Sequence, residues 1–342
     1  MITIPITLRR LAALGIATAM LSSAQSALAW GHQAHAAIDT AAIAELPADG
    51  PVFLRDYAAY VALSATVPDS WRTNSEPFSK AEEDPNHGWF RERFAFLKHV
   101  PRSRYAFVLA VYREHERLAR SDPDAARHMN VRGTGLLAYA VMEQYGHLVV
   151  DMRQVRAARA ANDDDLARAM EQNCAATIVR LGHYIGDGSQ PLHDTINSDG
   201  WIGADPAGYT RDPTIHARFE SKYVKAIGLT PRDVAEHMAP VDHQHDDLFD
   251  AVLAFLDRSG DLMEEVYRLD KRDAFADPTD ADARRLVYER TGAGASMLRD
   301  VMARAWLESA RAQDNDHADL LGPSNPAYDP ATGTAPAPMD PR

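Results

Sequence analysis

Between residues 30 and 310 the apolar positions recur at intervals of three and four. Met142, Tyr145, Val149, Met152 and Val155 form one such series, and Leu166, Met170, Cys174, Ile178 and Leu181 form another. That period puts side chains on one helix face and predicts helices with a buried stripe, Cys174 on it. Val287, Met297, Val301 and Trp306 predict a last long helix. Alternating strand patterns are nearly absent, and no repeat of roughly 20–50 residues is visible. Pro, Gly, Asp and Asn cluster at 73–86, 186–191 and 197–213, which predicts loops there. The last of these is long for a helical domain, and long ordered loops are usually functional. The expectation is an all-α fold, one compact multi-helix domain over residues 30–322.

The two ends break the pattern. Arg9 and Arg10 precede a short uncharged, mostly apolar run, and Ala27-Leu28-Ala29 is a small-x-small cleavage site. The run is shorter than the about 20 residues a bilayer span needs. Residues 1–29 are therefore expected to be a signal peptide, with cleavage at Ala29-Trp30 and a secreted or periplasmic product. No later stretch is long and apolar enough to cross a membrane. Residues 323–342 hold 6 of the 20 prolines and are expected to form a disordered tail.

Composition narrows the chemistry. The 342 residues carry 36 Lys+Arg against 49 Asp+Glu, a net charge of −13. This balance argues against tracking a phosphate backbone with Lys and Arg; phosphate handling would need another source of positive charge. Cys174 is the one cysteine, so no intramolecular disulfide can form. An exported chain of this kind must rely on its core, and on metal if it binds any.

Fourteen histidines are present. His183 and Asp187 are four apart at the end of a strongly periodic segment, which places them on one helix face. Gly186 and Gly188 bracket Asp187 and are expected to end that helix, after which Gln190-Pro191-Leu192 turns the chain to deliver His193. His216 and Glu220 form a second pair four apart in a separate helix. A single pair of this kind is usually a solvated helix face; two pairs plus His193 point to a metal site. Imidazole with carboxylate and no thiolate suits catalytic zinc. His99, His115, His128, His147, His237, His243, His245 and His317 are expected to be surface or hydrogen-bonded core residues.

The stretch His183-Tyr184-Ile185-Gly186-Asp187-Gly188-Ser189-Gln190-Pro191-Leu192-His193-Asp194 resembles the signature of the zinc-dependent phospholipase C and single-strand-specific nuclease superfamily. That family begins its mature chain with Trp, and cleavage after Ala29 exposes Trp30. By position, the resemblance implies three Zn2+ ions. Asp69, in Val67-Pro68-Asp69-Ser70-Trp71, and His87, in Asn86-His87-Gly88-Trp89, would join His183 and Asp187 on one zinc. Asp187 would bridge to a second, held also by the Trp30 amino group and carbonyl and by His35, with His32 as the rival ligand. His193, His216 and Glu220 would hold the third. The ions, not Lys and Arg, would then bind phosphate.

The activity implied is hydrolysis of a phosphodiester by metal-bound water, with Asp69 and Asp187 as the catalytic carboxylates. Glu220 and the missing disulfides resemble the phospholipase C branch. Trp30-Gly31-His32-Gln33-Ala34-His35 and Asp194 resemble the nuclease branch. Trp89 and Phe90 would cover a choline headgroup or stack a base. The expected partner is thus a phospholipid headgroup, or single-stranded nucleic acid as the alternative, and no stable protein partner is implied. A non-catalytic module stapled by zinc is the reading from another class.

Overall fold

A computed structural model describes residues 30–205, 207–242, 247–311 and 319–337. The expected signal peptide at 1–29, His243, His245, His317 and the last five residues lie outside the described residues. Eight helices carry the fold: α1 (His32–Ala44), α2 (Ala58–Ser64), α3 (Arg104–Ser121), α4 (Leu137–Ala160), α5 (Asp164–Ser189), α6 (Leu248–Gly260), α7 (Met263–Lys271) and α8 (Ala281–Ser309). Shorter helical turns join them, and there is no strand among the described residues. No helix of the described residues is long and apolar enough to cross a membrane.

Helices α4 and α5 form an antiparallel pair at the centre. Asn162, with φ of 56°, turns the chain between them. The side chain of Asp163 then caps α5 by accepting from the Leu166 amide at 3.0 Å, and Asp164 and Asp165 place negative charge in the first turn. Both predicted stripes face the core from Tyr145 and Cys174 onward, but Leu166 is exposed. In the first turn of α5 the buried position is Ala167 instead. Beyond Gly182 every α5 residue to Ser189 is buried, so this helix end is enclosed by α1, α4, α6 and α8. The predicted last helix is α8, capped by the Asp280 side chain, with Val287, Met297 and Val301 buried.

Two loop expectations need correction. Gly186 and Gly188 do not end α5, which runs through both to Ser189. Their role is steric. A Cβ at Gly186 would stand 2.5 Å from His35 Nδ1, and one at Gly188 would stand 2.5 Å from Leu256 Cδ2. Within 73–86, a helix forms over Pro77–Glu83 and continues as a 3-10 turn, Asp84–His87. Residues 197–205 and 207–213 are irregular as expected, pinned by Trp201, whose ring packs 4.9 Å from Tyr209 and 5.2 Å from Tyr267. The described part of the Pro-rich end is a run of turns, with Ala335 N donating to Leu321 O at 2.8 Å.

Candidate metal centre

The buried end of α5 is where the predicted ligands converge. Three groups each bring three ligand atoms within 4.8 Å of one another: His35, His183 and Asp187; Asp69, His87 and His183; and His193, His216 and Glu220. All eight side chains are buried, and each group could hold a metal ion. They are the eight side chains expected above.

Each ligand comes from a different local device. His183 and Asp187 project from the last turns of α5, and His35 from the first turn of α1. His32, the rival, is exposed. Asp69 lies on a short turn, Val67–Ser70, begun by Pro68. His87 ends the 3-10 turn after the helix Pro77–Glu83. The side chain of Gln190 folds back to accept from Leu192 N at 2.6 Å, closing the turn that delivers His193. The Gln190 amide nitrogen also lies 2.9 Å from His216 Nε2 and donates to Glu220 Oε2 at 3.3 Å. His216 and Glu220 straddle the junction of an α turn and a π-helical segment, Arg218–Tyr223.

Four of the five imidazoles spend one ring nitrogen outward and aim the other into the cluster. His183 Nδ1 donates to Ala65 O at 2.9 Å, and His193 Nδ1 donates to His87 O. His87 Nε2 lies 3.0 Å from Glu83 Oε1, and His216 Nδ1 lies 3.2 Å from Asp199 Oδ1. The inward nitrogens face each other: His183 Nε2 and His87 Nδ1 at 3.1 Å, and His216 Nε2 and His193 Nε2 at 3.1 Å. The two oxygens of Asp187 divide between neighbours, Oδ1 at 3.3 Å from His35 Nε2 and Oδ2 at 2.9 Å from His87 Nδ1.

Paired ring nitrogens at this distance repel unless a cation or proton lies between them. Buried oxygens without a partner, Asp69 Oδ2, Asp187 Oδ1 and Glu220 Oε1, and both nitrogens of His35 carry the desolvation cost of unmet polar groups. Three buried carboxylates with inward-facing imidazoles therefore fit cations.

Electrostatics follow the same pattern. Burial pushes His183 well below the usual imidazole range. Burial opposes charge at Asp187 too, yet His183 and His193, with His35 and His87 close to its two oxygens, hold it well below the carboxylate range. Asp69 is raised by burial and by the charge of Asp187. His87 is raised because its bonds to Asp187 and Glu83 outweigh burial. Glu220 and Asp199 overcome burial to push His216 up to about 10, while His216 and His193 keep Glu220 low.

Trp30 is fully buried. Its indole Nε1 donates to Ser189 Oγ at 2.9 Å, and its ring lies 5.3 Å from Phe219. Ser189 is two residues past Asp187, and Phe219 precedes Glu220. This seats the residue between the elements that carry two of the ligand groups.

A cleft of about 150 Å³ opens onto the centre, lined by Arg72, Phe90, His87, His193, Asp199 and His216 among others. Trp89 does not line it. The expectation that Trp89 covers substrate is corrected: it is buried against Phe94 and Phe107, at ring distances of 4.6 and 5.6 Å. Arg72, at 3.5 Å from Asp69 and 3.3 Å from Asp84, was not singled out by the sequence. Neither were Glu83 and Asp199. Glu83 did carry a signal, since it stands four residues before His87, the spacing of the other two pairs. Comparison of the chain with family models, curated proteins and solved structures finds no match.

Proposed function

We propose that this chain is an exported zinc-dependent phosphodiester hydrolase. The observation that carries the reading is the convergence of three buried His/Asp/Glu groups, two of them sharing His183, behind one cleft lined by His87, His193 and His216. Oxygen and imidazole donors without thiolate favour zinc over soft-metal chemistry. Structural zinc sites are normally closed by four protein ligands, whereas the group of His193, His216 and Glu220 offers three side chains, which speaks against a purely structural staple.

Asp69, His87, His183 and Asp187 would hold one ion, Asp187, His35 and the Trp30 terminus a second, and His193, His216 and Glu220 the third. Bound zinc supplies Lewis acidity at phosphoryl oxygens and lowers the pKa of water. The protein's own part is positional. Asp187 joins two groups through its separate oxygens. Asp69 Oδ2, free of partners, orients the attacking water and takes its proton. Arg72 at the cleft edge contributes positive charge toward the non-bridging phosphate oxygens. Gln190 holds His216 and Glu220 in register.

Glu220 favours phospholipase C-type cleavage. One observation favours the nuclease alternative: with Trp89 buried, Phe90 is left to offer an aromatic face to the cleft, enough to stack one base but only one wall of a choline cage. The test is phosphocholine release from lecithin against nucleotide release from single-stranded nucleic acid, each before and after chelation and zinc restoration. One zinc-dependent activity identifies the branch. Absence of both, and of turnover on a soluble phosphodiester, refutes the reading.

A further inference from the structure

Glu83 belongs to none of the three ligand groups, yet it is buried and one of its oxygens takes two donors. His87 Nε2 lies 3.0 Å from Glu83 Oε1, and the Tyr184 hydroxyl donates to the same oxygen at 2.7 Å. Tyr184 follows the ligand His183 in α5, and its ring meets the His87 ring edge-on at 5.8 Å. One carboxylate thus ties His87 to the residue beside His183.

The geometry sets the chemistry of the ring. With the Nε2 proton committed to Glu83, the His87 lone pair stands on Nδ1, which faces Asp187 Oδ2 at 2.9 Å and His183 Nε2 at 3.1 Å. We infer that Glu83 and Tyr184 are positioning residues that fix His87 in the tautomer open at Nδ1, and so set how tightly the Asp69–His87–His183 group takes a cation. A carboxylate partner of this kind orients the ring and raises its basicity, and its loss typically costs about 10–100-fold in metal affinity. The inference rests on the metal reading above.

The experiment titrates Zn2+ into the metal-stripped protein against a chromophoric chelator, for wild type, Glu83→Gln and Tyr184→Phe, and records melting temperature with and without zinc. Glu83→Gln keeps the length and an acceptor but removes the charge. The expected result is three ions in wild type and one of the three weakened by about 10–100-fold in Glu83→Gln. The same ion is weakened by a smaller factor in Tyr184→Phe, and in both variants the zinc-induced rise in melting temperature shrinks. Equal affinities for all three ions, with the zinc-induced rise intact, would overturn the inference even if the stripped variants melt lower, because a structural role alone gives that result. If Glu83→Gln does not fold, Tyr184→Phe decides, since it leaves the carboxylate in place; unchanged affinity there overturns the inference. A wild-type chain that takes up no zinc refutes the metal reading itself, and this with it.

Discussion

His87 O accepts the Nδ1–H of His193, so the residue whose imidazole serves one ligand group sets the ring of another through its backbone. The link is reinforced in the opposite direction, where Trp89 N donates to His193 O at 2.8 Å. The backbone and the side chain of His87 can therefore be separated by mutation.

His87→Ala removes the imidazole and leaves the carbonyl. It is expected to lose one zinc and keep the ion on His193, His216 and Glu220, with activity falling beyond the roughly 10–100-fold typical of losing an outer partner. Gly135→Ala acts on the backbone instead. Gly135 has φ of 77°, and a Cβ there would lie 1.8 Å from Gly88 O, so the strand of chain at 87–89 must shift. This variant is expected to lower occupancy of both groups. Metal analysis of the two purified variants checks the contrast, and a Gly135→Ala protein that retains three ions breaks it.

Gly186→Ala should weaken the protein despite the better helix propensity of alanine. The added methyl would stand 2.5 Å from His35 Nδ1, displacing the ring at a cost of about 1–3 kcal/mol and with loss of the ion it shares with Asp187. Gly146, in the exposed middle of α4, has nothing within 4 Å of its Cβ position. Gly146→Ala is the control, expected to gain about 0.5–1 kcal/mol. Denaturant unfolding and zinc content of both variants measure the pair.

Protons compete with metal at His216. Its imidazole, pushed up to about 10, is protonated at neutral pH in the metal-free chain, so zinc binding must release that proton. Calorimetry at pH 7 in buffers of different ionisation heat should show proton release that falls in His216→Gln. The sign for stability follows from the raised value. The His216–Glu220 pair contributes fully below the ordinary imidazole range, near 6.5, and its contribution is lost as pH climbs toward about 10. The melting-temperature difference between metal-free wild type and His216→Gln should shrink over that window.

Asp39 is a buried acid with no partner for either oxygen, and burial raises its pKa well above the carboxylate range. Folding must hold its proton or bury its charge, so it costs stability above the unfolded value near 3.9, and the cost grows as pH rises toward the folded value. Asp39→Asn should flatten that slope and raise melting temperature at neutral pH without changing zinc content. An unaltered pH profile would show that Asp39 is compensated.

Much of the centre was legible because helical spacing is a strong constraint. His183 with Asp187, and His216 with Glu220, share a face wherever a helix forms. Asp69 and His87 sit on short turns with no periodic signal, and only the resemblance pointed to them. The same spacing at Glu83 and His87 does not stand out, because a carboxylate behind a ligand looks in sequence like one on a solvated face. Trp89 and Phe90 are adjacent aromatics, and nothing in their order tells which turns to the core. In sequence Gly186 reads as a helix end because glycine usually marks one, whereas the contact it permits comes from His35 of α1, distant in sequence.

The proposed function requires three zinc ions on the three groups around α5. Its most direct measurement is zinc content per chain, by elemental analysis, of protein beginning at Trp30 that has been stripped, zinc-saturated and freed of loose metal. Three ions are expected, falling by one or more when His193, Asp187 or His35 is replaced by Ala. No retained zinc, or retention unaffected by those replacements, would contradict it.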